Sequence, residues 1–479
     1  MSLTNASFPK KNNSKYASFF ACVFAFLLAF CLVPSFAYAD VKNSDIILGE
    51  SVESQGFTVA DCPSINALYA YVVAEDGTVY FERSSYSETQ IASVTKVMTA
   101  LVALTYGDPQ NTTITVSETA ATIGESSAKL QAGDSMNLET ALKCLMIVSG
   151  NDAAQAIAES MGDQVGNTLK EQGVENVPDK GYDAFVFAMN KMAQDLGMSN
   201  SVFINPHGLD DGEHAGNLHS SAHDVSLMCQ EAMKNSVFRE IVGTHQTTVQ
   251  VTRDSEQVDV DLESTDELLE TYEGACGIKT GFTDLAGACF AGASDRNGSL
   301  LYAIVLHSDT EAQRFTDAET LFDWVYNNTI SYPLVHSSQS TTYKDSSGNT
   351  TTVPVVANVS HKGWVDSTFK ATIADPNQSI EVFKLKGNVS QNVQFDDVTS
   401  DVHFGDKVGT VTFMQHNEVI ACVDLVAAED ARGPNFFEGI GVWWDRFFRG
   451  FSGEQKEAAS TVINQTPLIY GSDSAYQTI

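Results

Sequence analysis

The order of its strand-like and helix-like patterns is the feature that most restricts the fold of this chain. Apolar and β-branched residues at 67–81 surround a Glu-Asp-Gly turn and predict an opening β-hairpin. Helical spacing dominates residues 93–234, strand-like runs return at 249–307, and residues 311–326 predict a closing helix. Strands at both ends with helices between them predict an α+β fold, in which a helical cluster packs against one antiparallel sheet.

The pattern changes after this region, which marks a candidate domain boundary. We expect residues 40–330 to form one domain, and residues 331–432, which carry short alternating runs between turns, to form a small C-terminal all-β domain. Residues 433–452 predict an amphipathic helix, whereas residues 453–479 show no periodicity and predict a disordered tail. Residues 163–182, rich in Gly, Glu, Gln and Lys, predict an exposed insertion.

Residues 1–39 are predicted to be an export signal. Three lysines precede an apolar run at 19–33, which is closed by Ala37-Tyr38-Ala39. A retained transmembrane anchor is the alternative, but the run is shorter than the ~20 apolar residues that a membrane span needs. We therefore expect cleavage after Ala39 and an exported, extracytoplasmic protein. Its attachment to the outer face of the cytoplasmic membrane is expected from the amphipathic segment at 433–452.

Charge and cysteine usage exclude several classes of partner. Cleavage would remove three of the 27 basic residues and none of the 61 acidic ones, which leaves 24 against 61 and a net charge of −37. A chain this acidic is not expected to bind nucleic acid. The remaining cysteines show no spacing typical of zinc sites, so we predict neither a metal nor another cofactor. Cys276 and Cys289 could face each other across a hairpin, as a disulfide or as two free thiols.

A serine and a lysine stand one helical turn apart at the start of the first long helix, in Ser93-Val94-Thr95-Lys96. Serine is a poor nucleophile until a base removes its proton, and a lysine at this spacing lies within reach. The same spacing occurs at 126–129 and 367–370, and a helix-capping serine is the simple alternative. Only Ser93 both follows a hairpin and begins a convincing amphipathic helix.

Two further polar tripeptides follow in the chain. Ser149-Gly150-Asn151 lies on a predicted loop between two helices, where side chains can point into a cleft. Lys279-Thr280-Gly281 lies at the end of a predicted strand, where glycine lets a substrate backbone approach the strand edge. Each tripeptide alone is ordinary turn or strand-edge chemistry. Together with the serine and lysine, in this order and local structure, they predict one cleft.

On these motifs the chain resembles the low-molecular-mass penicillin-binding proteins, the D-alanyl-D-alanine carboxypeptidase family. The resemblance extends over most of residues 60–430 and includes Asn205-Pro206-His207-Gly208-Leu209. It implies the penicillin-binding/β-lactamase-like transpeptidase fold, and removal of the terminal D-alanine from peptidoglycan pentapeptides through an acyl-enzyme. Peptidoglycan stem peptides would be the substrate and β-lactam antibiotics would be inhibitors.

The resemblance also implies roles for individual residues. Ser93 would be the nucleophile and Lys96 the general base, and backbone N–H groups of Ser93 and Phe282 would form the oxyanion hole. Many relatives carry histidine where Phe282 stands, and residues 264–269 lack expected asparagines, which affects substrate preference more than reaction type. The implied catalytic residues are Ser93, Lys96, Ser149, Asn151 and Lys279, and the implied substrate contacts are Thr280, Gly281, Phe282 and Arg314.

Three other functions are compatible with parts of this pattern. A D,D-endopeptidase acting on cross-links would need the same chemistry, because the scissile bond depends on pocket shape. A non-catalytic penicillin-binding wall protein could keep the fold without the reaction. A β-lactamase is disfavoured, because no Glu-x-x-Leu-Asn pattern lies between the second and third motifs.

The amphipathic segment carries its large apolar side chains within an arc of about 140° on a helix. Trp and Phe suit the boundary between lipid headgroups and acyl chains, so we expect this face to contact a membrane while the polar arc stays in water. A helix packed on the preceding domain is the alternative. The predicted membrane contacts are Phe436, Phe437, Ile440, Trp443, Trp444, Phe447, Phe448 and Phe451.

Overall fold

The computed structural model describes residues 41–469, so the predicted export signal lies outside the described residues. Buried apolar side chains form three clusters. The first lies between a sheet and the helical cluster, the second lies between the same sheet and the closing helix, and the third fills the C-terminal β region. Tyr71 and Val73 belong to the first cluster and Ala70 and Val72 to the second, as the two faces of one strand require.

Between residues 41 and 310 the structure contains eleven strands. In chain order they are β1 (Ile46–Ile47), β2 (Glu50–Ser51), β3 (Tyr69–Ala74), β4 (Val79–Arg83), β5 (Thr113–Thr115), β6 (Ser135–Asn137), β7 (Gln246–Arg253), β8 (Glu256–Glu263), β9 (Ala275–Thr283), β10 (Gly287–Arg296) and β11 (Ser299–Ser308). A seven-stranded antiparallel sheet has the order β2-β1-β4-β3-β11-β10-β9, and a smaller sheet has the order β5-β6-β7-β8. The opening hairpin therefore pairs directly with the last strands of the domain, as predicted.

The helices supply the cover for both faces of the main sheet. They are α1 (Val52–Gln55), α2 (Lys96–Tyr106), α3 (Glu118–Ala121), α4 (Leu138–Met146), α5 (Asn151–Glu171), α6 (Gly181–Asp195), α7 (Ala222–Met233), α8 (Ser236–Val242), α9 (Leu268–Thr271), α10 (Glu311–Asn328) and, near the C-terminus, α11 (Phe436–Ser452). Side chains of Asn137, Ser221 and Thr310 accept backbone N–H bonds at the starts of α4, α7 and α10. The predicted α+β architecture is confirmed.

Most of residues 163–182 are exposed, as predicted, but the segment is not a loop throughout, because α5 continues to Glu171 and α6 begins at Gly181. Gly162 and Gly181 let the two helices touch, since a Cβ atom on Gly162 would lie only 1.9 Å from the carbonyl oxygen of Gly181. Glycine here serves close helix packing and does not mark a loop. Only the turn between the two helices remains as a connection.

The proposed pairing of Cys276 with Cys289 is also wrong. In the hairpin of β9 and β10, Cys289 lies opposite Gly281, whereas Ala293 lies opposite Gly277. The two sulfur atoms are therefore offset along the hairpin, and both cysteines are free thiols. The alternative of two free thiols holds for this pair.

The C-terminal region contains ten strands within residues 329–469, and its first strand begins at Thr329, directly after α10. In chain order they are β12 (Thr329–Pro333), β13 (Ser340–Lys344), β14 (Thr350–Pro354), β15 (Ala357–Ser360), β16 (Thr368–Ile373), β17 (Ser379–Phe383), β18 (Val389–Phe395), β19 (Lys407–Gln415), β20 (Glu418–Ala427) and β21 (Thr461–Val462). Six of them form a sheet of order β18-β19-β20-β16-β15-β21, and β12-β17 and β13-β14 form two-stranded sheets.

The prediction of a disordered tail is wrong for residues 453–469. Strand β21 pairs with β15 at the sheet edge, and the Asn464 amide donates to the carbonyl of Leu334 at 2.9 Å. Ile469 is buried in the third apolar cluster. These contacts join residues more than a hundred positions apart, so no local pattern predicts them. Residues 470–479 lie outside the described part of the chain.

Helix α11 turns its polar arc onto the β region and its aromatic arc away from it. Arg446 donates to the carbonyls of Lys362 at 2.6 Å and Trp364 at 3.1 Å, and Arg449 pairs with Asp366 at 2.6 Å. The expectation that the polar arc stays in water is therefore wrong in part. Across residues 41–469, no helix combines the length and the apolar character needed to span a bilayer. The aromatic arc is exposed at Phe436, Phe437, Ile440, Trp443, Trp444, Phe447, Phe448 and Phe451.

Candidate active site

Ser93 lies on a single 3₁₀ turn, Ala92–Thr95, that leads directly into α2. Ala92 has a φ of 47°, a conformation that L-residues other than Asn and Asp rarely adopt, and its side chain is fully buried. Backbone strain of this kind persists only where the surrounding structure enforces it. The turn presents the partly exposed Ser93 hydroxyl to the cleft while α2 is held in the core.

Lys96 is fully buried one turn beyond Ser93. Its Nζ atom donates to Ser93 Oγ at 2.7 Å, to Asn151 Oδ1 at 2.7 Å and to the carbonyl oxygen of His207 at 2.8 Å. Three acceptors match the three N–H bonds of an ammonium group. When the amine is neutral, one of these contacts must reverse, and the Ser93 hydroxyl is the partner that has a proton to donate.

The environment of Lys96 favours that neutral state. Burial lowers the pKa of Lys96 well below its usual value, and the nearby positive charge of Lys279 lowers it further, while Asp152 opposes the shift. A buried amine with a depressed pKa next to a hydroxyl is the arrangement expected of a general base for a serine nucleophile.

The second motif forms the loop between α4 and α5. Ser149 has a φ of 59° and is 4% exposed, and Asn151 begins α5 and donates to the carbonyl of Gly124 at 3.0 Å. Asp152 holds the loop at residues 124–130 in place. Its carboxylate accepts hydrogen bonds from the Ser127 hydroxyl at 2.6 Å and from the Leu130 N–H at 3.1 Å. The buried carboxylate thus sets the position of one wall of the cleft.

The third motif lies on β9, which runs beside the nucleophile turn. A Cβ atom on Gly281 would lie 2.8 Å from the carbonyl oxygen of Ile91 and 3.0 Å from the N atom of Ser93, so glycine is needed for this approach. Lys279 is buried beneath the strand and donates to the Thr280 carbonyl at 2.9 Å. Burial lowers the pKa of Lys279 to about 7, and the charge of Arg314 contributes to the shift.

Arg314 reaches the same strand from α10. Its Nη1 atom donates to the carbonyl of Gly281 at 3.3 Å, and its Nη2 atom pairs with Glu311 at 3.2 Å. Phe282, the next residue of β9, has a side chain that is 49% exposed. A guanidinium held next to this strand end can pair with a carboxylate, because its planar fork matches the two carboxylate oxygens.

These residues surround one cleft of about 570 Å³. Lys96 and Lys279 lie just beneath its surface, whereas the eight aromatic and aliphatic residues predicted for membrane contact lie on α11, away from it. Within the described residues, no group of three or more His, Cys, Asp or Glu side chains could hold a metal ion. Predicted site residues that line the cleft are Ser93, Ser149, Asn151, Thr280, Gly281, Phe282 and Arg314.

The segment around His207 is the part of the site to which the motif analysis assigned no role. It supplies the backbone carbonyl that receives Lys96, and a backbone acceptor leaves no signature in residue types. Gly208 has a φ of 91°, and a Cβ atom there would lie 1.9 Å from the carbonyl oxygen of Ala92. Burial lowers the pKa of His207 to about 2, so its ring is neutral beside the amine of Lys96.

The sequence was compared with known proteins. The sequence model for D-alanyl-D-alanine carboxypeptidases matches residues 57–171 and 174–310. The D-alanyl-D-alanine carboxypeptidase DacF of Bacillus subtilis is 27% identical over 371 residues, which cover 76% of this chain and 85% of that protein. A D-alanyl-D-alanine carboxypeptidase of Mycobacterium tuberculosis, DacB2, is 34% identical over 237 residues, 49% of this chain and 72% of that protein.

A solved structure extends the likeness to the fold. The D-alanyl-D-alanine carboxypeptidase DacD of Francisella tularensis has 22% identity and a TM-score of 0.50, and the match covers 78% of this chain and 96% of that one. Because this identity is low, the likeness concerns the fold alone. The sequence model spans more than half of the chain, and the nucleophile, base and strand-edge motifs all lie within the matched residues. The chain therefore belongs to the D-alanyl-D-alanine carboxypeptidase family of serine peptidases.

Proposed function

We propose that this protein removes the terminal D-alanine from peptidoglycan stem peptides through an acyl-enzyme on Ser93. The observation that carries the proposal is the 2.7 Å contact between Lys96 Nζ and Ser93 Oγ at the floor of the cleft. The Ser93 hydroxyl is accessible from the cleft. Burial lowers the pKa of the Lys96 amine and so favours its neutral form. Few other arrangements of a serine and a lysine serve both needs.

Acylation begins when neutral Lys96 accepts the Ser93 proton. The Ser93 oxygen attacks the carbonyl carbon between the two D-alanines, and negative charge develops on the carbonyl oxygen. The backbone N–H groups of Ser93 and Phe282 stabilise that charge, and preorganised donors of this kind are usually the largest single contribution to catalysis. The geometry of β9 beside the nucleophile turn supports this role, because the two backbones approach closely at Gly281.

Collapse of the intermediate requires a proton on the departing amine. Lys96 gives up its proton, and the Ser149 hydroxyl passes it to the nitrogen as the C–N bond breaks and D-alanine leaves. Water then attacks the ester while Lys96 takes the water proton, and Lys96 returns that proton to the Ser93 oxygen as the ester C–O bond breaks. Asn151 orients the substrate and holds the Lys96 amine through its Oδ1 atom at 2.7 Å.

The terminal carboxylate of the substrate gives the cleft its selectivity for a chain end. Thr280 and Arg314 bind it, and the positive charge of Lys279 beneath the strand adds attraction. β-Lactam antibiotics carry a carboxylate and an acylating carbonyl, so they enter the same cleft as inhibitors and acylate Ser93.

The test of this function is D-alanine release from a synthetic pentapeptide that ends in D-alanyl-D-alanine. We expect the purified protein to release D-alanine from the pentapeptide faster than it cleaves a cross-linked peptide dimer. A faster cleavage of the dimer would favour the D,D-endopeptidase alternative. Failure to cleave either substrate, in protein that still binds penicillin, would favour the non-catalytic wall protein.

We further propose that the protein is exported and that the aromatic arc of α11 rests in a membrane interface. The cap at Asn435 and the ion pairs of Arg449 fix the helix with this arc outward, and Phe437 is 81% exposed. The arginines on and beside the helix are already paired: Arg432 with Glu438, Arg446 with Glu457 and Arg449 with Asp366. Binding should therefore depend on apolar contact rather than on attraction to anionic lipid.

Vesicle sedimentation tests the membrane proposal. Replacing Phe437 and Phe448 with aspartate should weaken binding to neutral phosphatidylcholine vesicles at least about tenfold, because each buried ring contributes roughly 1.5–3 kcal/mol. Val419→Asp, at an apolar residue that is 61% exposed on β20, is the matched control and should bind normally. Equal binding by the double variant and the parent protein would contradict the proposal, as would binding that appears only with anionic lipid.

A further inference from the structure

Asp266 is a buried carboxylate that the proposed mechanism does not use. It lies on the turn between β8 and α9 and is 3% exposed. Its Oδ1 atom accepts from the Leu268 N–H at 3.0 Å, but its Oδ2 atom has no hydrogen-bond partner among the described residues. A buried carboxylate oxygen without a donor is unfavourable unless nearby charge compensates for it.

The charged neighbours of Asp266 are the cations of the active site. Burial raises the pKa of Asp266 to about 6, while Lys279 and Arg314 lower it and Glu267 raises it. Burial and Asp295 raise the pKa of the Cys276 thiol, and the negative charge of Asp266 raises it further. The carboxylate is therefore close enough to Lys279 and Arg314 for their charges to act on it, with Glu267 and the Cys276 thiol as its other titratable neighbours.

The turn that carries Asp266 is fastened to the third motif. The hydroxyl groups of Thr265 and Thr280 lie 2.6 Å apart, so the turn cannot move independently of β9. Thr265 and Thr280 also line the cleft. The carboxylate is therefore held at a fixed place behind the site that binds the substrate carboxylate.

Asp266 favours the charged form of Lys279. Its Nζ atom donates at 2.9 Å to the Thr280 carbonyl and at 3.5 Å to the Thr280 hydroxyl. Burial and Arg314 lower the pKa of Lys279, and Asp266 opposes both. The positive charge of Lys279 also helps to keep Lys96 neutral, together with burial and against the effect of Asp152. His207, also close to Lys96, has a neutral ring.

We propose that Asp266 is a positioning residue that keeps Lys279 protonated, so that the cleft attracts the substrate carboxylate while Lys96 stays neutral. This inference rests on the proposed function. Its action is indirect, because Asp266 acts through Lys279 and does not line the cleft.

The proposal predicts how the pH profile of acylation responds to Asp266→Asn. The rate of acylation should fall at high pH, the alkaline limb of the profile, when Lys279 loses its proton. Without the negative charge of residue 266, Lys279 loses this proton at lower pH, so the alkaline limb moves to lower pH. On the acidic side of the profile Lys279 is protonated in both proteins and repels the Lys96 ammonium equally, so the acidic limb should stay in place. The active pH range should therefore narrow from the alkaline side, by about one unit.

The measurement is the second-order rate of acylation by a fluorescent penicillin from about pH 5 to about pH 10, which reports the ionisations of the free enzyme. Glu267→Gln is the matched control, because it removes one negative charge from the adjacent, exposed residue and should leave both limbs in place. Asp266→Glu retains the charge. Both limbs should therefore stay at the parental pH values, even if altered packing lowers the maximal rate of acylation, the plateau of the profile.

The outcomes separate this inference from the proposed function. If Asp266→Asn lowers the plateau and leaves both limbs unmoved, Asp266 has only a structural role and the inference is wrong. If Asp266→Asn does not fold, Asp266→Glu decides, since limbs that move despite the retained charge contradict the proposal. If the parent protein itself is not acylated at any pH, the proposed function is wrong, and the inference about Asp266, which rests on it, is wrong as well.

Discussion

Replacing Lys96 with methionine should slow acylation by penicillin about a thousandfold, because the base that accepts the Ser93 proton is removed. Methionine fills nearly the same volume as the lysine stem, so the buried position should stay packed. The loss would appear equally in D-alanine release. The measurement is the second-order rate constant for labelling, at a pH near the optimum of the parent protein.

A second Ser-x-x-Lys spacing in the chain provides the control. Lys129 follows Ser126 by three residues, but Lys129 is exposed and hydrogen bonds to Ser93 come from Lys96. Lys129→Met should therefore label at the parental rate. Near-parental labelling by Lys96→Met would show that another group activates the nucleophile.

Replacing Gly208 with alanine should lower the acylation rate about a hundredfold or more, because a misplacement of about 1 Å at the reacting atoms has effects of that size. A Cβ atom at Gly208 would lie 1.9 Å from the carbonyl oxygen of Ala92 and 3.0 Å from Thr95 Oγ1. Both atoms belong to the turn that carries Ser93. Because a Cβ atom cannot lie this close to a carbonyl oxygen, the turn and the Gly208 segment must move apart, which displaces Ser93 from its place in the cleft.

Gly197→Ala is the matched control for Gly208→Ala. Gly197 has a similar positive φ of 78°, but nothing lies within 4 Å of the Cβ position. Both variants therefore introduce the same backbone strain, and only Gly208→Ala introduces the collision. If both variants were acylated at the same rate, the contact between the Gly208 segment and the nucleophile turn would not matter for catalysis.

Periodicity in the sequence predicted the α+β fold, because the elements that open and close the first domain carry strong local patterns. The alternating and β-branched residues of β3 and the helical spacing after Ser93 are examples. Register and distant contacts carry no such pattern. The offset of Cys276 from Cys289 depends on where the hairpin turns, and the order of residues 453–469 depends on Asn464 reaching Leu334.

In the candidate site, too, some features are predictable from residue types and others are visible only in the folded chain. Its three motifs are visible because hydroxyl, amine and glycine are required at fixed positions, and their family is confirmed by the comparisons. The His207 carbonyl and the Asp266 carboxylate were missed, since any residue supplies a carbonyl and acidic residues are common on surfaces. Only the folded chain shows that Asp266 is buried near the active site.

The most direct test of the central claim is the position of the covalent bond that penicillin forms. The protein is incubated with penicillin and digested, and the peptides are analysed by tandem mass spectrometry. We expect one penicilloyl group per molecule, attached to Ser93, and no such group on the Lys96→Met protein after the same brief exposure. A penicilloyl group on Ser126, Ser149 or another side chain, or an unmodified Ser93 in protein that releases D-alanine, would contradict the account.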